Sequence, residues 1–256
     1  GLGIGEGDSV ALLLRNDFAF FETQQAAAAI GAYSVPLNWH GKPEEVLYIL
    51  GDARPKALVA HADLLAPLRG QLPTDLRVLV VPTPPEVQRR YGIADEQARL
   101  QAGDESWQHW CDGFLPWDQP PKRSRATMIY TSGTTGHPKG VRRAPATVEQ
   151  AKANAALLEL VYGLTPGVRG LVTGPLYHAS PNAYGRQALM AAEVLVLQSK
   201  FDPEETLALI ERHRITNAVM VPTMFVRLLR LPAQVRQRYD LSSLRWLTHT
   251  GAPCPR

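Results

Sequence analysis

Cysteine is nearly absent from this chain of 256 residues, and the two that occur, Cys111 and Cys254, stand far apart. Such spacing supplies neither a zinc cluster nor the framework of a disulfide-stapled secreted domain, so reduced thiols in a cytoplasmic setting are expected. Long apolar runs are also missing. Ala26 to Ile30 falls far below the roughly 20 residues that span a bilayer, and no basic leader precedes an apolar stretch. Neither a transmembrane segment nor a signal peptide is therefore expected. No block of Lys and Arg occurs either; 27 basic and 24 acidic side chains leave a net charge of +3, which names no nucleic-acid partner.

What the chain has is apolar material. Hydrophobic residues make up 45% of it and charged ones 20%, enough to bury one large core or two small ones. Gly1 falls in mid-pattern and Arg256 follows a strand and turn, so both ends read as cut.

Short β-prone runs alternate with amphipathic segments, the pattern of an α/β fold with layered βαβ units and mostly parallel sheets. Val10 to Leu14 reads as a strand. Asn16 or Asp17 can cap a helix that presents Phe18 and Phe21 on one face and ends at Gly31. Tyr33 to Leu37 extends again, Glu44 to Leu50 suits a helix, and Lys56 to Ala60 a strand. A helical turn around Leu64 to Leu68 and a strand from Leu76 to Val81 follow. Prolines and tryptophans dominate about 82–121, which reads as an irregular surface loop within the domain. Ala126 to Tyr130 is the next predicted strand. Thr147 and Gln150 form a capping box for a helix running to Gly163. Leu171 to Thr173 and Val194 to Leu197 are predicted strands flanking a helix near Gly185 to Ala192. Asp202, Pro203 and Glu205 mark a further helix start, and that helix ends near His213. Ile215 to Val221, Met224 to Arg230 and Leu244 to Thr248 complete a strand, helix, strand series.

The most informative segment is Thr131-Ser132-Gly133-Thr134-Thr135-Gly136-His137-Pro138-Lys139-Gly140. Hydroxyls and glycines between a predicted strand and a cation let backbone N–H groups close around phosphate oxygens. Gly133 and Gly136 permit the close approach, and Lys139 brings a positive charge. It is not a Walker A loop, which needs a Gly-Lys pair followed by Ser or Thr. Here Pro138 precedes Lys139 and Gly140 follows it.

This segment resembles the phosphate-binding signature of the adenylate-forming (AMP-binding) superfamily, whose acyl-CoA ligases activate a carboxylic acid with ATP. Other stretches resemble the same family in order. Gly7 to Leu12 with Gly31 to Asn38 is similar to its opening strand, helix and strand. Gly174-Pro175-Leu176-Tyr177-His178 is similar to its acyl and thiol channel, Val221-Pro222-Thr223-Met224-Phe225 to its acyl pocket, and Thr250-Gly251-Ala252-Pro253 to its adenine floor. For His178 the alternative is an ordinary loop histidine, for Pro222 to Phe225 an apolar core turn, and for Pro253 punctuation after a strand.

The resemblance implies that residues 1–256 are the incomplete amino-terminal large domain of an AMP-forming acyl-CoA ligase, without its carboxy-terminal lid domain. It implies ATP contacts from Thr131, Ser132, Gly133, Thr134, Thr135, Gly136 and Lys139, with Lys139 serving the reaction, and nucleotide contacts from Gly251, Ala252 and Pro253. His178, Pro222, Thr223 and Met224 would touch the acid. ATP, Mg²⁺ and coenzyme A are implied, with self-association left open. No metal ligand is assigned, because the family's Mg²⁺ glutamate, ribose aspartate and catalytic lysine belong to segments beyond Arg256. The piece alone is accordingly expected to be inactive. Ala144-Pro145 stands where many relatives carry Thr-His. A truncated nucleotide-binding module without ligase activity, or a peptide-synthetase adenylation domain, are the alternatives. The acid, whether fatty, aryl or sterol-derived, is not specified.

Overall fold

The computed structural model describes residues 2–132 and 138–253, and the chain divides into two compact units, Gly1–Thr147 and Val148–Arg256. In the first unit β1 (Ser9–Leu13), α1 (Phe18–Ala29), β2 (Tyr33–Pro36), α2 (Pro43–Ala53), β3 (Ala57–His61), α3 (Ala62–Leu65) and β4 (Arg77–Val81) follow one another. A 3₁₀ turn, Ala66–Leu68, extends α3. The strands form a parallel sheet in the order β2-β1-β3-β4. Every residue of β1 and β3 is buried, as expected where helices cover both faces of a parallel sheet. On one face Ala11 and Leu13 join Val46, Ile49 and Leu50 of α2 in a single core. On the other, Val10, Val59 and Leu79 look onto Thr23 and Ala27 of α1.

Asp17, not Asn16, caps α1, accepting from the Phe18 N–H at 2.7 Å. Gly31 takes the left-handed conformation after the helix at φ +72°, as expected. Phe18 and Phe21 lie about 60° apart around the helix, on one side as expected, but Phe21 is buried and Phe18 is not. Phe20 is fully buried and Phe21 nearly so, while Phe18 is 71% exposed. Two residues along a helix turn by about 200°, so a face centred on Phe20, Gln24 and Ala27 leaves Phe18 on the opposite side.

The segment read as an irregular loop carries three short helices: α4 (Pro85–Tyr91), α5 (Asp95–Ala98) and α6 (Trp107–Asp112). Each is too short to show a 3.6-residue period, so local caps define them instead. Gly92 closes α4 at φ +65° and Ser106 Oγ accepts from His109 N–H at the start of α6. Ala126 to Tyr130 does not form the expected strand. Met128 N–H reaches Ser34 O at 2.9 Å beside the edge strand β2, without a continued ladder. The chain then forms a two-stranded antiparallel pair, β5 (Thr131–Ser132) and β6 (Pro138–Lys139).

In the second unit α7 (Val148–Tyr162), β7 (Val168–Val172), α8 (Ala179–Ala191), β8 (Ala192–Leu197), α9 (Pro203–His213), β9 (Asn217–Met220), α10 (Pro222–Leu229), α11 (Ala233–Arg236) and β10 (Trp246–His249) build a second parallel sheet, β10-β9-β7-β8. Helix α7 begins right after Thr147 and ends before Gly163, which sits at φ +62°. Helix α8 starts six residues earlier than the apolar pattern around Gly185 indicates, at Ala179, because its first turns carry Ser, Pro and Asn and show no hydrophobic stripe. Asp202 caps α9 as expected, accepting from Glu205 N–H at 2.8 Å with Pro203 at the first helical position. Leu171, Ile210, Ile215, Ala218 and Met220 form this unit's core.

Candidate functional site

The β5–β6 pair brackets the glycine-rich segment, and its register sets Thr131 directly opposite Lys139 and Ser132 opposite Pro138. Directly opposed residues of an antiparallel pair point to the same side. The Thr131 hydroxyl and the Lys139 ammonium therefore share one face of the ribbon, and both residues are solvent-exposed. Gly133, Thr134, Thr135 and Gly136 lie outside the described residues.

The base of the pair is anchored from three directions. Tyr130 donates its hydroxyl to Asp52 Oδ2 on α2. Burial, then the bond to Asp52, pushes the phenol far above its ordinary pKa, so it stays a donor. Its ring also covers Gly140, where an added Cβ would fall 2.5 Å from Tyr130 Cε2. Arg142 Nη2 donates to Ala53 O at 2.8 Å, at the end of the same helix. Tyr33 Oη on β2 donates to Arg143 O at 2.8 Å and receives a bond from Arg125. Sequence reasoning passed over Asp52, Tyr130 and Arg142. Asp52 is 78 residues from Tyr130, and no periodic signal links them.

Open parallel sheets bind ligands beyond the carboxyl ends of their strands, where strand order reverses. Each unit has one such place. In the first sheet it falls between β1 and β3, and the protein fills it with its own groups. Arg15 is buried there, paired with Asp63 through Nη1–Oδ1 at 3.0 Å and Nη2–Oδ2 at 2.8 Å. Its guanidinium lies over the rings of Trp39 and Tyr91. His61, fully buried, accepts from Arg15 N–H through Nδ1 and bonds Asp17 through Nε2. The Nδ1 contact fixes the proton on Nε2.

In the second sheet the reversal falls between β7 and β9, and the expected residues gather there. Gly174 to His178 follow β7, Pro222 to Met224 follow β9, and Thr250 to Pro253 follow β10. Thr173 Oγ1 donates to Val219 O at 2.8 Å and touches Met224 Sδ at 3.5 Å, tying the first two strand ends together. Thr250 N–H reaches Met220 O, and a Cβ on Gly251 would meet Val221 Cγ1 at 3.6 Å. The structure thus brings Gly251 next to the β9 turn. Pro222 and Met224 are buried, whereas Thr223, His178, Gly251, Ala252 and Pro253 are exposed. His178 precedes α8 and lies against the Tyr177 ring at 4.3 Å; desolvation lowers its pKa, favouring the neutral ring. Thr173 was missed by sequence reasoning, although its place immediately before Gly174 was the available signal.

Comparison with known proteins decides the family, because the AMP-binding enzyme family matches residues 1–256 from end to end. The chain belongs to the AMP-binding enzymes. A feruloyl-CoA synthase of Amycolatopsis is 33% identical over 261 residues, covering 99% of this chain and 46% of its own length. An indoleacetate–CoA ligase of Aromatoleum aromaticum is 31% identical over 255 residues, covering 98% of this chain and 46% of the ligase. The chain thus spans about half the length of the curated relatives it matches. Among solved structures, the anthranilate CoA ligase AuaEII with anthranoyl-AMP superposes with a TM-score of 0.76 at 25% identity, over 97% of this chain and 46% of that one. The amino-terminal domain of FACL13 from Mycobacterium tuberculosis gives 0.71 at 25% identity, over 99% and 59%. The layered parallel α/β architecture expected of the amino-terminal portion of an AMP-binding acyl-CoA ligase is the one found.

Proposed function

We infer that the protein of which this chain is part is an AMP-forming acid–thiol ligase. A carboxylate attacks the α-phosphorus of ATP to give acyl-AMP and pyrophosphate, and the thiol of coenzyme A then displaces AMP to give a thioester. The observation that carries the reading is the shared, solvent-facing side of Thr131 and Lys139 at the mouth of the glycine-rich segment, in a chain of this family. In such a displacement the protein contributes positioning and charge neutralisation. Lys139 and the hydroxyls and N–H groups of the segment from Thr131 to Gly136 would hold the departing pyrophosphate.

The adenine and acyl group belong to the strand ends of the second unit. Gly251, Ala252 and Pro253 offer small residues to a flat base. Pro222, Thr223 and Met224 offer an apolar wall to the acid, and the lowered pKa of His178 suits a neutral channel residue. Mg²⁺ would screen the triphosphate. The acid is fatty, aryl or sterol-derived. The relatives named above as feruloyl and indoleacetate enzymes favour screening aryl acids first. The test is pyrophosphate release by the full-length protein across a panel of carboxylic acids. The reading expects release that depends on one class of acid and falls at least tenfold in Lys139→Ala, about 1.4 kcal/mol of barrier. Release unchanged by that substitution would count against it.

A further inference from the structure

The family reading gives Lys139 a task but does not say what holds it in place. The ribbon that carries it has two residues per strand, and an isolated two-stranded ribbon is marginal even at greater length. Its geometry must come from what grips its base. Tyr130 adjoins β5 and Gly140 adjoins β6, and the two touch each other: the Tyr130 ring occupies the volume a Cβ on residue 140 would need. The same side chain is tethered to Asp52 through its hydroxyl. Arg142 donates to Ala53 O one residue further along α2, so both strands are tied to the end of one helix.

We propose that Tyr130 and Asp52 are positioning residues for ATP: the ring of Tyr130 sets the spacing of β5 and β6, and its bond to Asp52 holds Lys139 at the distance the pyrophosphate requires. This rests on the reading of the ribbon as the phosphate grip. Asp52 serves the ribbon through the Tyr130 hydroxyl. The geometry also explains why residue 140 is glycine, since any side chain would displace the ring and open the mouth of the ribbon.

The test is steady-state kinetics of pyrophosphate release by the full-length protein, with KM for ATP and for the acid measured separately. Tyr130→Phe and Asp52→Ala are each expected to raise KM for ATP about three- to tenfold, the effect of losing one ordinary hydrogen bond at an exposed position, leaving KM for the acid within about twofold. Asp52→Asn keeps an acceptor for the hydroxyl and should recover most of the loss. In a Lys139→Ala background, Tyr130→Phe should add less than about twofold, because two residues acting through one contact are not additive. A structural role alone would shift both KM values and multiply with Lys139→Ala. If Lys139→Ala impairs ATP use while Tyr130→Phe and Asp52→Ala match wild type, this inference falls and the phosphate grip stands. If Lys139→Ala has no effect, both fall. Should Tyr130→Phe not fold, the exposed position 52 carries the same test.

Discussion

Replacing Asp63 by Ala should be among the more damaging single changes in the first unit, for reasons that can be worked through from its contacts. The carboxylate accepts two bonds from Arg15 and one from the Thr83 hydroxyl. The side chains of Arg15 and Asp63 are only 7% and 10% exposed. Without Asp63 the Arg15 guanidinium stays where Trp39 and Tyr91 enclose it, but with no counter-charge. Breaking a buried pair from one side costs about 3–5 kcal/mol. With a urea m-value of about 2 kcal/mol/M, the unfolding midpoint should drop by about 1.5–2.5 M. Tryptophan emission reports this unit well, because Trp39, Trp107, Trp110 and Trp117 all lie in it and only Trp246 does not. The double variant Arg15→Met with Asp63→Leu removes both charges and should come back to within about 2 kcal/mol of wild type. A loss below about 1 kcal/mol for Asp63→Ala, at unchanged m, would show that water reaches Arg15. The idea that this strand-end crevice is closed by the protein's own ion pair would then be wrong.

Two further outcomes follow from single contacts. Asp202→Ala removes the acceptor for Glu205 N–H and should cost about 1 kcal/mol, read as a lower melting temperature; a change under about 0.3 kcal/mol would mean that Pro203 alone starts α9. The bidentate bond from Arg69 holds the Asp104 carboxyl below its ordinary pKa. A depressed folded-state pKa gives stability that is present above the unfolded value near 3.9 and is lost as pH falls through the folded value. Arg69→Ala should therefore flatten the acid limb of a stability-against-pH curve below about pH 4, and an unchanged limb would refute the pairing.

How far the sequence could be read depended on whether a feature was local. The cap, proline and carboxylate at 202, 203 and 205 are neighbours along the chain, and α9 begins where they say. The apolar runs of β1 and β3 are buried on both faces, so their β-propensity needed no partner to be recognised. Features that depend on distant partners were misread or missed. Ala126 to Tyr130 has the composition of a strand, yet Met128 N–H reaches Ser34 O of β2 without a continued ladder. Phe18 and Phe21 are close in helical angle, but the sheet meets the side centred on Phe20. At the candidate site the glycine-rich segment could be singled out because the phosphate chemistry proposed for it needs those residue types close together. Its anchors on α2 and β2 come from dozens of residues upstream and left no pattern to find. The same holds for Thr173, whose role emerges only once β7 and β9 lie side by side.

The measurement that bears most directly on the ATP reading is protection of Lys139 from amine acylation, followed by mass spectrometry of the full-length protein with and without ATP. Lys139 is solvent-exposed and should be labelled in the free protein and shielded at saturating ATP. Lys42 and Lys152, outside the ribbon, should be labelled equally in both conditions. Equal labelling of Lys139 with and without ATP would contradict the assignment of the triphosphate to this ribbon.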